Sequence, residues 1–275
     1  ANNSILQIVV FSVFFGIGLA ALGERGRGLI GVIDQVAHVM LKVTAYVMWT
    51  APVAVLAAVA ATITTEGLGI LGTYGKFIGG YYVALLVLWA VLLGLGAMVI
   101  GPRVRALVSM IREPLLLAFS TASSEAAYPK TLEQLERFGV SPRIASFVLP
   151  LGYSFNLDGS MMYCTFATLF IAQAYGIDLS GTQLITLLLL LLVTSKGIAG
   201  VPRASLVVLA ATLPHFGIPD AGLLLVLAVD QFLDMGRSAT NVVGNSIASS
   251  VVAKWEGELS DPQSVAGPVE PAGVG

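Results

Sequence analysis

DQFLDMGRSATNVVGN, residues 230–245, lies inside an apolar segment running from about Ala221 to Trp255. Its polar residues include Asp230, Asp234, Arg237, Asn241 and Asn245, spaced four, three, four and four apart. At about 100° per residue all five fall within an arc of about 80°, which predicts a membrane helix carrying one polar stripe. Ionisable side chains at that depth are costly, so they must face protein or a water-filled cavity and contact something specific. A salt bridge that merely ties helices together would need two of these residues, not five.

The rest of the chain supports a membrane setting. Of 275 residues, 56% are hydrophobic and 11% charged, and the mean hydropathy is +0.88. Soluble domains carry about 25% charged residues. A net charge of -2 gives no reason to expect a nucleic-acid partner. Cys164 is the single cysteine, so no disulfide forms within the chain. The first residues, ANNSILQIVV, have neither a starting methionine nor a charged leader; they read as a fragment or trimmed chain rather than a signal peptide.

Three long apolar segments come first: residues 4–22, 30–65 with a kink expected at Ala51-Pro52, and 77–100. Beyond them the pattern changes. The arm 104–120 runs into STASSE (120–125), and a second short arm ends near Gly139. The arm 182–194 runs into SKGIAGVPR (195–203), and its partner ends near Pro214. Arms of about 10–14 residues are too short to cross a bilayer, so each pair is expected to be a re-entrant hairpin whose tip is sheltered by protein. Between them a segment, 142–175, is broken by YSFNLDG (153–159). Paired interrupted segments in corresponding positions point to an inverted-repeat transporter with its site near the midplane. If the first hairpin opens to the cytoplasm, Arg25, Arg27, Arg103, Arg105, Arg112, Lys130, Arg137, Arg143 and Lys254 lie inside. Lys76 is then the only Lys or Arg expected in the outer loops, as the positive-inside rule requires. The expected fold is an all-α, multi-pass inner-membrane protein. Residues 1–100 are expected to form three transmembrane helices, partly scaffold. Residues 101–259 form the transport core, and 260–275 a disordered cytoplasmic tail.

The polar breaks must converge or go unsatisfied. Helix N-termini at hairpin tips favour anions. Arg237 offers a planar fork for a carboxylate, and Asp234 can receive an ammonium. Together they describe a pocket for a small zwitterion with an extra carboxylate, such as aspartate or glutamate. The oxygens of Asn156, Asp158 and Asn241 suit a small hard cation.

These stretches resemble the dicarboxylate/amino acid:cation symporters, the glutamate transporter family. NLDG at 156–159 resembles that family's Asn-Met-Asp-Gly motif, STASSEAAYP its first hairpin, GIAGVP its second, and DMGRSATNVVGN its last helix. The resemblance extends over essentially the whole chain. It implies a homotrimer, an elevator-like movement, a lipid-bilayer setting, no bound cofactor, and three further spans before residue 1. It assigns the substrate's side-chain carboxylate to Arg237 and its amino group to Asp234. Ser123, Ser124, Gly200, Val201, Ser238 and Asn241 match further substrate contacts. Gly152, Asn156, Asn241 and Asn245 match one sodium site, and Asn156 with Asp158 part of another.

Four positions depart from the family pattern. Asn245 stands where sodium-coupled members usually carry Asp. Lys196 and Ile198 stand where archaeal members build a sodium site, and a lysine there takes the cation's place. Glu125 replaces a serine, and Cys164 stands where animal members carry a proton-binding Glu. Coupling to protons is therefore expected over sodium, with Glu125 and Asp158 as candidate carriers. The expected activity is symport of acidic amino acids; the alternative is a C4-dicarboxylate carrier, against which Asp234 argues. Two remoter readings are a non-transporting membrane subunit and an intramembrane hydrolase using Ser123 or Ser124. Neither His38 nor His215 lies in a polar break to assist a hydrolase, and no nucleophile elbow is present.

Overall fold

The computed structural model describes residues 5–262 apart from positions 51, 52, 54, 55, 58, 59, 62, 65, 66, 196, 197, 199, 200 and 201. The expected kink at Ala51-Pro52 and most of the expected tail lie outside the described residues. The described chain is mostly helical. Its helices are α1 (Ile5–Ala21), α2 (Arg27–Met48), α3 (Ile70–Ile100), α4 (Val104–Thr121), α5 (Tyr128–Phe138), α6 (Pro142–Phe155), α7 (Asp158–Ala174), α8 (Gly181–Thr194), α9 (Ala204–Thr212), α10 (Leu223–Leu227) and α11 (Asp230–Trp255). Among the described residues, one run, Ile70–Thr121, is long and apolar enough to cross a membrane.

Local chemistry explains where the elements stop. Proline sits in the first turn of both α5 and α6, where no backbone donor is lost. Ser141 caps α6 by accepting from the Ile144 N–H at 3.3 Å. Ser180 and Gln183 close α8 with a capping box. Gly139 ends α5 at φ +107°, where a side chain would be strained and its Cβ would meet the Ser260 carbonyl.

The segment at 221–255 was expected to be one helix but is two. The Val229 N–H turns back to the Val226 carbonyl at 3.0 Å, so the Leu225 carbonyl loses its helical donor. The Tyr74 hydroxyl supplies one at 2.7 Å. Tyr81 and Tyr82 donate likewise to the carbonyls of Leu233 and Phe232, and Trp89 Nε1 donates to Thr240 Oγ1. A row of aromatic polar tips on α3 thus serves the chain along α10 and α11.

α11 is the centre of the molecule, packed against α3, α4, α6 and α7. Every residue from Gly236 to Ile247 is buried, so its polar arc does not face lipid, and its other faces are covered too. Two apolar clusters flank it. One joins the first half of α3 to α7, α8, α9 and α10; the other joins the second half of α3 to α4, α5, α6 and the end of α11. The helix–turn–helix pairs α4–α5 and α8–α9 lie in different clusters, and so do α6 and α7, the two parts of the broken segment. The backbone leaves α6 at Asn156, whose N–H reaches the Gly152 carbonyl at 2.7 Å, and α7 starts at Asp158. The first residues of the expected tail are held: Val140 and Leu259 form an antiparallel bridge, and the Ser260 N–H donates to the Gly139 carbonyl at 2.8 Å.

Candidate functional site

Glycine lets the three helices of the site approach closely. A Cβ on Gly159 would fall 2.1 Å from the Arg237 carbonyl, one on Gly152 2.3 Å from Asn245 Oδ1, and one on Gly244 2.2 Å from Asp158 Oδ2. Real Cβ atoms do not come so near backbone or polar atoms, so α11 lies against the break between α6 and α7 only because these positions are bare. The break is thereby carried to the polar arc of α11.

Asp234 and Arg237 are both fully buried. Arg237 Nε donates to Asp234 Oδ1 at 2.6 Å. Its Nη1 reaches Ser160 Oγ at 3.3 Å and its Nη2 the Ala122 carbonyl at 3.4 Å. The second Asp234 oxygen accepts the backbone N–H of Arg203 at 2.5 Å. The simple salt bridge therefore exists, but it is one part of a wider network. Arg237 spans the turn after α4, the start of α7 and α11, while Asp234 ties α11 to the segment before α9.

One helical turn further, Asn241 Nδ2 donates to Ser160 Oγ at 3.4 Å and its Oδ1 accepts the Gly159 N–H at 3.0 Å. Asn156 Nδ2 donates to Asn245 Oδ1 at 3.2 Å. The five residues expected to hold a cation, Gly152, Asn156, Asp158, Asn241 and Asn245, thus line one seam between the helix break and α11. Among the described residues no cluster of three His, Cys, Asp or Glu side chains is present, so a cation on this seam would be held by amide and carbonyl oxygens with Asp158 the carboxylate.

The turn 122–127 brings the first-hairpin serines to the same region. Ala122 adopts a left-handed conformation at φ 51°, and its carbonyl faces Arg237. Ser123 Oγ accepts the Ala126 N–H at 3.2 Å. The hydroxyls of Ser124 and Ser238 are buried and have no hydrogen-bond partner among the described residues. Such groups are costly to bury unless something satisfies them. Glu125 is half-buried in the same turn. Lys196, Gly200 and Val201 lie outside the described residues.

Three residues of this neighbourhood carried no signal of their own in the sequence. Ser160 follows the NLDG stretch by one position and bridges Arg237 and Asn241. Tyr163 packs in the apolar cluster and also donates its hydroxyl to Asp230 Oδ1 at 2.5 Å. Arg203 follows GIAGVP by one position. Only distance along the polar breaks could have flagged Ser160 and Arg203. Cys164 is buried, with Sγ 3.9 Å from the Ser205 carbonyl. His215 is exposed on the α9 side and contacts the Ala211 carbonyl at 3.1 Å, away from every serine of the site.

A broken helix, two helix–turn–helix pairs and a buried carboxylate–guanidinium pair thus meet at α11. Residues 1–255 match the sodium:dicarboxylate symporter family, and the chain belongs to it. This is a family of membrane symporters, which makes the chain a membrane protein and leaves no place for the hydrolase reading. The chain is 44% identical to the proton/sodium-glutamate symport protein of Bacillus subtilis, across 93% of this chain and 60% of the relative. It is 46% identical to the proton/glutamate-aspartate symporter of Escherichia coli, across 97% and 61%. It is 40% identical to the C4-dicarboxylate transport protein of Bacillus subtilis, across 96% and 63%. The chain therefore spans about three-fifths of the length of these curated relatives.

Proposed function

We propose that this chain carries the substrate-binding core of a multi-pass inner-membrane symporter for aspartate and glutamate. The observation that carries the reading is the buried Asp234–Arg237 pair, three residues apart on α11 and so on one face. Among the described contacts of Arg237, its two Nη groups reach a hydroxyl and a carbonyl at 3.3 and 3.4 Å. A carboxylate accepting from the same fork would make shorter, charge-assisted bonds, so the side-chain carboxylate of the substrate goes there. Asp234 receives the amino group. Ser123, Ser124, Gly200, Val201, Ser238 and Asn241 complete the contacts; the buried hydroxyls of Ser124 and Ser238, without a hydrogen-bond partner among the described residues, support this. The pairs α4–α5 and α8–α9 are re-entrant hairpins in an inverted repeat, and the core moves as a body in a homotrimer.

The co-transported cation is a proton rather than sodium. Asn245 in place of a carboxylate leaves the seam at Gly152, Asn156, Asp158 and Asn241 with one negative charge, and Lys196 supplies a resident positive charge. Glu125 and Asp158 are the candidate proton carriers.

Relatives named for glutamate and for C4-dicarboxylates match at similar identity, so the amino group is the feature to test. In proteoliposomes, labelled aspartate uptake is competed with glutamate, succinate and malate, in wild type and Asp234→Asn. Asp234→Asn should weaken the amino acids far more than succinate or malate, which have no amino group to lose. Equal weakening of succinate would make Asp234 structural and remove the main support for amino acids. A wild type that already prefers succinate would identify a C4-dicarboxylate carrier.

A further inference from the structure

Arg203 is one of two non-glycine residues described at positive φ, at 64°. Its ψ is 5°, and it occupies the position just before α9. Glycine takes that conformation freely, whereas a long side chain does so at a cost, which directs attention to what the side chain does there. Its N–H donates to Asp234 Oδ2 at 2.5 Å. Its guanidinium Nε stands 3.4 Å from Asp230 Oδ2. Asp230 is fully buried and lies one helical turn before Asp234 on α11. Its other oxygen is taken by Tyr163. Neither Arg203 Nε nor Asp230 Oδ2 has an aligned hydrogen bond among the described residues; the two charges face each other as an ion pair.

One residue thus engages two buried carboxylates spaced four apart on α11, one through its backbone and one through its side chain. We propose that Arg203 is a positioning residue that clips the start of α9 to α11, holding Asp234 Oδ2 where a substrate's amino group must find it. The clip uses Asp230, which would otherwise be a buried carboxylate with only a tyrosine hydroxyl for a partner. Removing one side of such a pair leaves a charge uncompensated, whereas removing both is far better tolerated. The role of Asp234 rests on the function proposed above; the clip itself does not.

The single cysteine reports on the clip directly. Cys164 is 1% exposed and its Sγ lies 3.9 Å from the Ser205 carbonyl on α9, two residues beyond Arg203. Maleimide labelling of Cys164 in the purified protein, read by peptide mass spectrometry, therefore measures how well α9 is seated and needs no substrate. Arg203→Gly keeps the N–H and relieves the positive φ while deleting the guanidinium. The clip predicts labelling faster by about tenfold in Arg203→Gly and in Asp230→Asn, with the double variant no faster than either single one. Arg203→Lys, which retains the charge, should restore most of the protection. In the uptake assay Arg203→Gly should weaken competition by aspartate several-fold more than competition by succinate.

Labelling of Arg203→Gly at the wild-type rate, or slower because strain is relieved, overturns the clip whatever the uptake assay gives. Faster labelling with an unchanged aspartate-to-succinate ratio overturns the positioning role. Additive effects in the double variant also overturn it. If Arg203→Gly cannot be purified, the double variant decides: its recovery supports the pair, and its equal failure overturns it. A wild type that transports neither substrate would sink the proposed function while leaving the labelling result intact.

Discussion

Arg237 is the residue on which most of the site converges. It is fully buried, and its guanidinium contacts Asp234, Ser160 and the Ala122 carbonyl. Arg237→Ala would leave Asp234 buried with the Arg203 N–H as its remaining donor among the described residues. Breaking a buried pair in this way costs about 3–5 kcal/mol of stability, and the same change removes the charge-assisted fork proposed for the substrate carboxylate. Arg237→Ala should therefore abolish uptake of acidic substrates, and neutral amino acids such as serine or alanine become the substrates to assay. Unchanged aspartate affinity in this variant would remove Arg237 from the pocket. Arg237→Lys is not a conservative control, because a point charge cannot reproduce the fork that reaches three partners at once.

At the scale of the element, the contact between α7 and α11 depends on Gly159. Gly159→Ala would push a methyl into the Arg237 backbone and against Thr240 Cβ, and would strain the Gly159 N–H bond to Asn241. Overpacking of this kind costs about 1–3 kcal/mol. The expected result is a lower melting temperature in detergent together with weaker substrate binding, measured by scanning fluorimetry with and without aspartate. The segment after α11 offers a separate test. Glu258 accepts from Ser141 Oγ and pairs with Arg143, and Arg103 donates to the Ser260 carbonyl at 3.1 Å and pairs with Asp261. Arg143 first, and Ser141 second, hold the Glu258 carboxyl below its ordinary range. Its folded value is depressed, so its contribution is present above the ordinary carboxylate value of about 4.3 and is lost as pH falls through the lowered one. Proteolysis of the C-terminal tail should accelerate only in that acid window, and Glu258→Gln should flatten the profile. Equal pH profiles for the two proteins would discard this role for Glu258.

At the scale of the whole molecule, α11 separates two apolar clusters, each containing one short helix pair and one half of the broken segment. Large apolar side chains remain exposed on α1, α2 and α3, among them Phe11, Phe14, Met40, Leu86 and Met98. That outer surface suits a bilayer and neighbouring protein. Cation coupling is a property of the entire transport cycle, and its test is made on uptake. The proposed role of Lys196 as a substitute for a cation predicts that transport follows the proton gradient and survives replacement of sodium by choline at constant pH. Collapse in choline would reject proton coupling. Appearance of sodium dependence in Lys196→Ile with Ile198→Thr would support the placement of Lys196.

The legible part of this protein was whatever its local pattern could express. Five polar residues at helical spacing, and Gly/Ser/Pro breaks between apolar arms, announced α11, the two helix pairs and the divided segment at 153–159, although the first arm, expected to be about 10–14 residues, is an 18-residue helix, α4. A glycine also marked where α5 ends, at Gly139. The rest depends on contacts between residues far apart in the chain, which no local pattern encodes. Ser160 enters the site because Gly159 lets α7 touch α11. Tyr163 becomes a donor because Asp230 is brought to it. The helix at 221–255 divides because Tyr74, 151 residues away from Leu225 in sequence, satisfies the freed carbonyl. Residues 260 and 261, polar and expected to belong to the tail, are held by Gly139 and Arg103. Arg203 was only the last residue of the break at 195–203, and the fold set its peptide on Asp234 and its guanidinium beside Asp230, because charge chooses its partner by proximity and burial, and tertiary packing alone determines both.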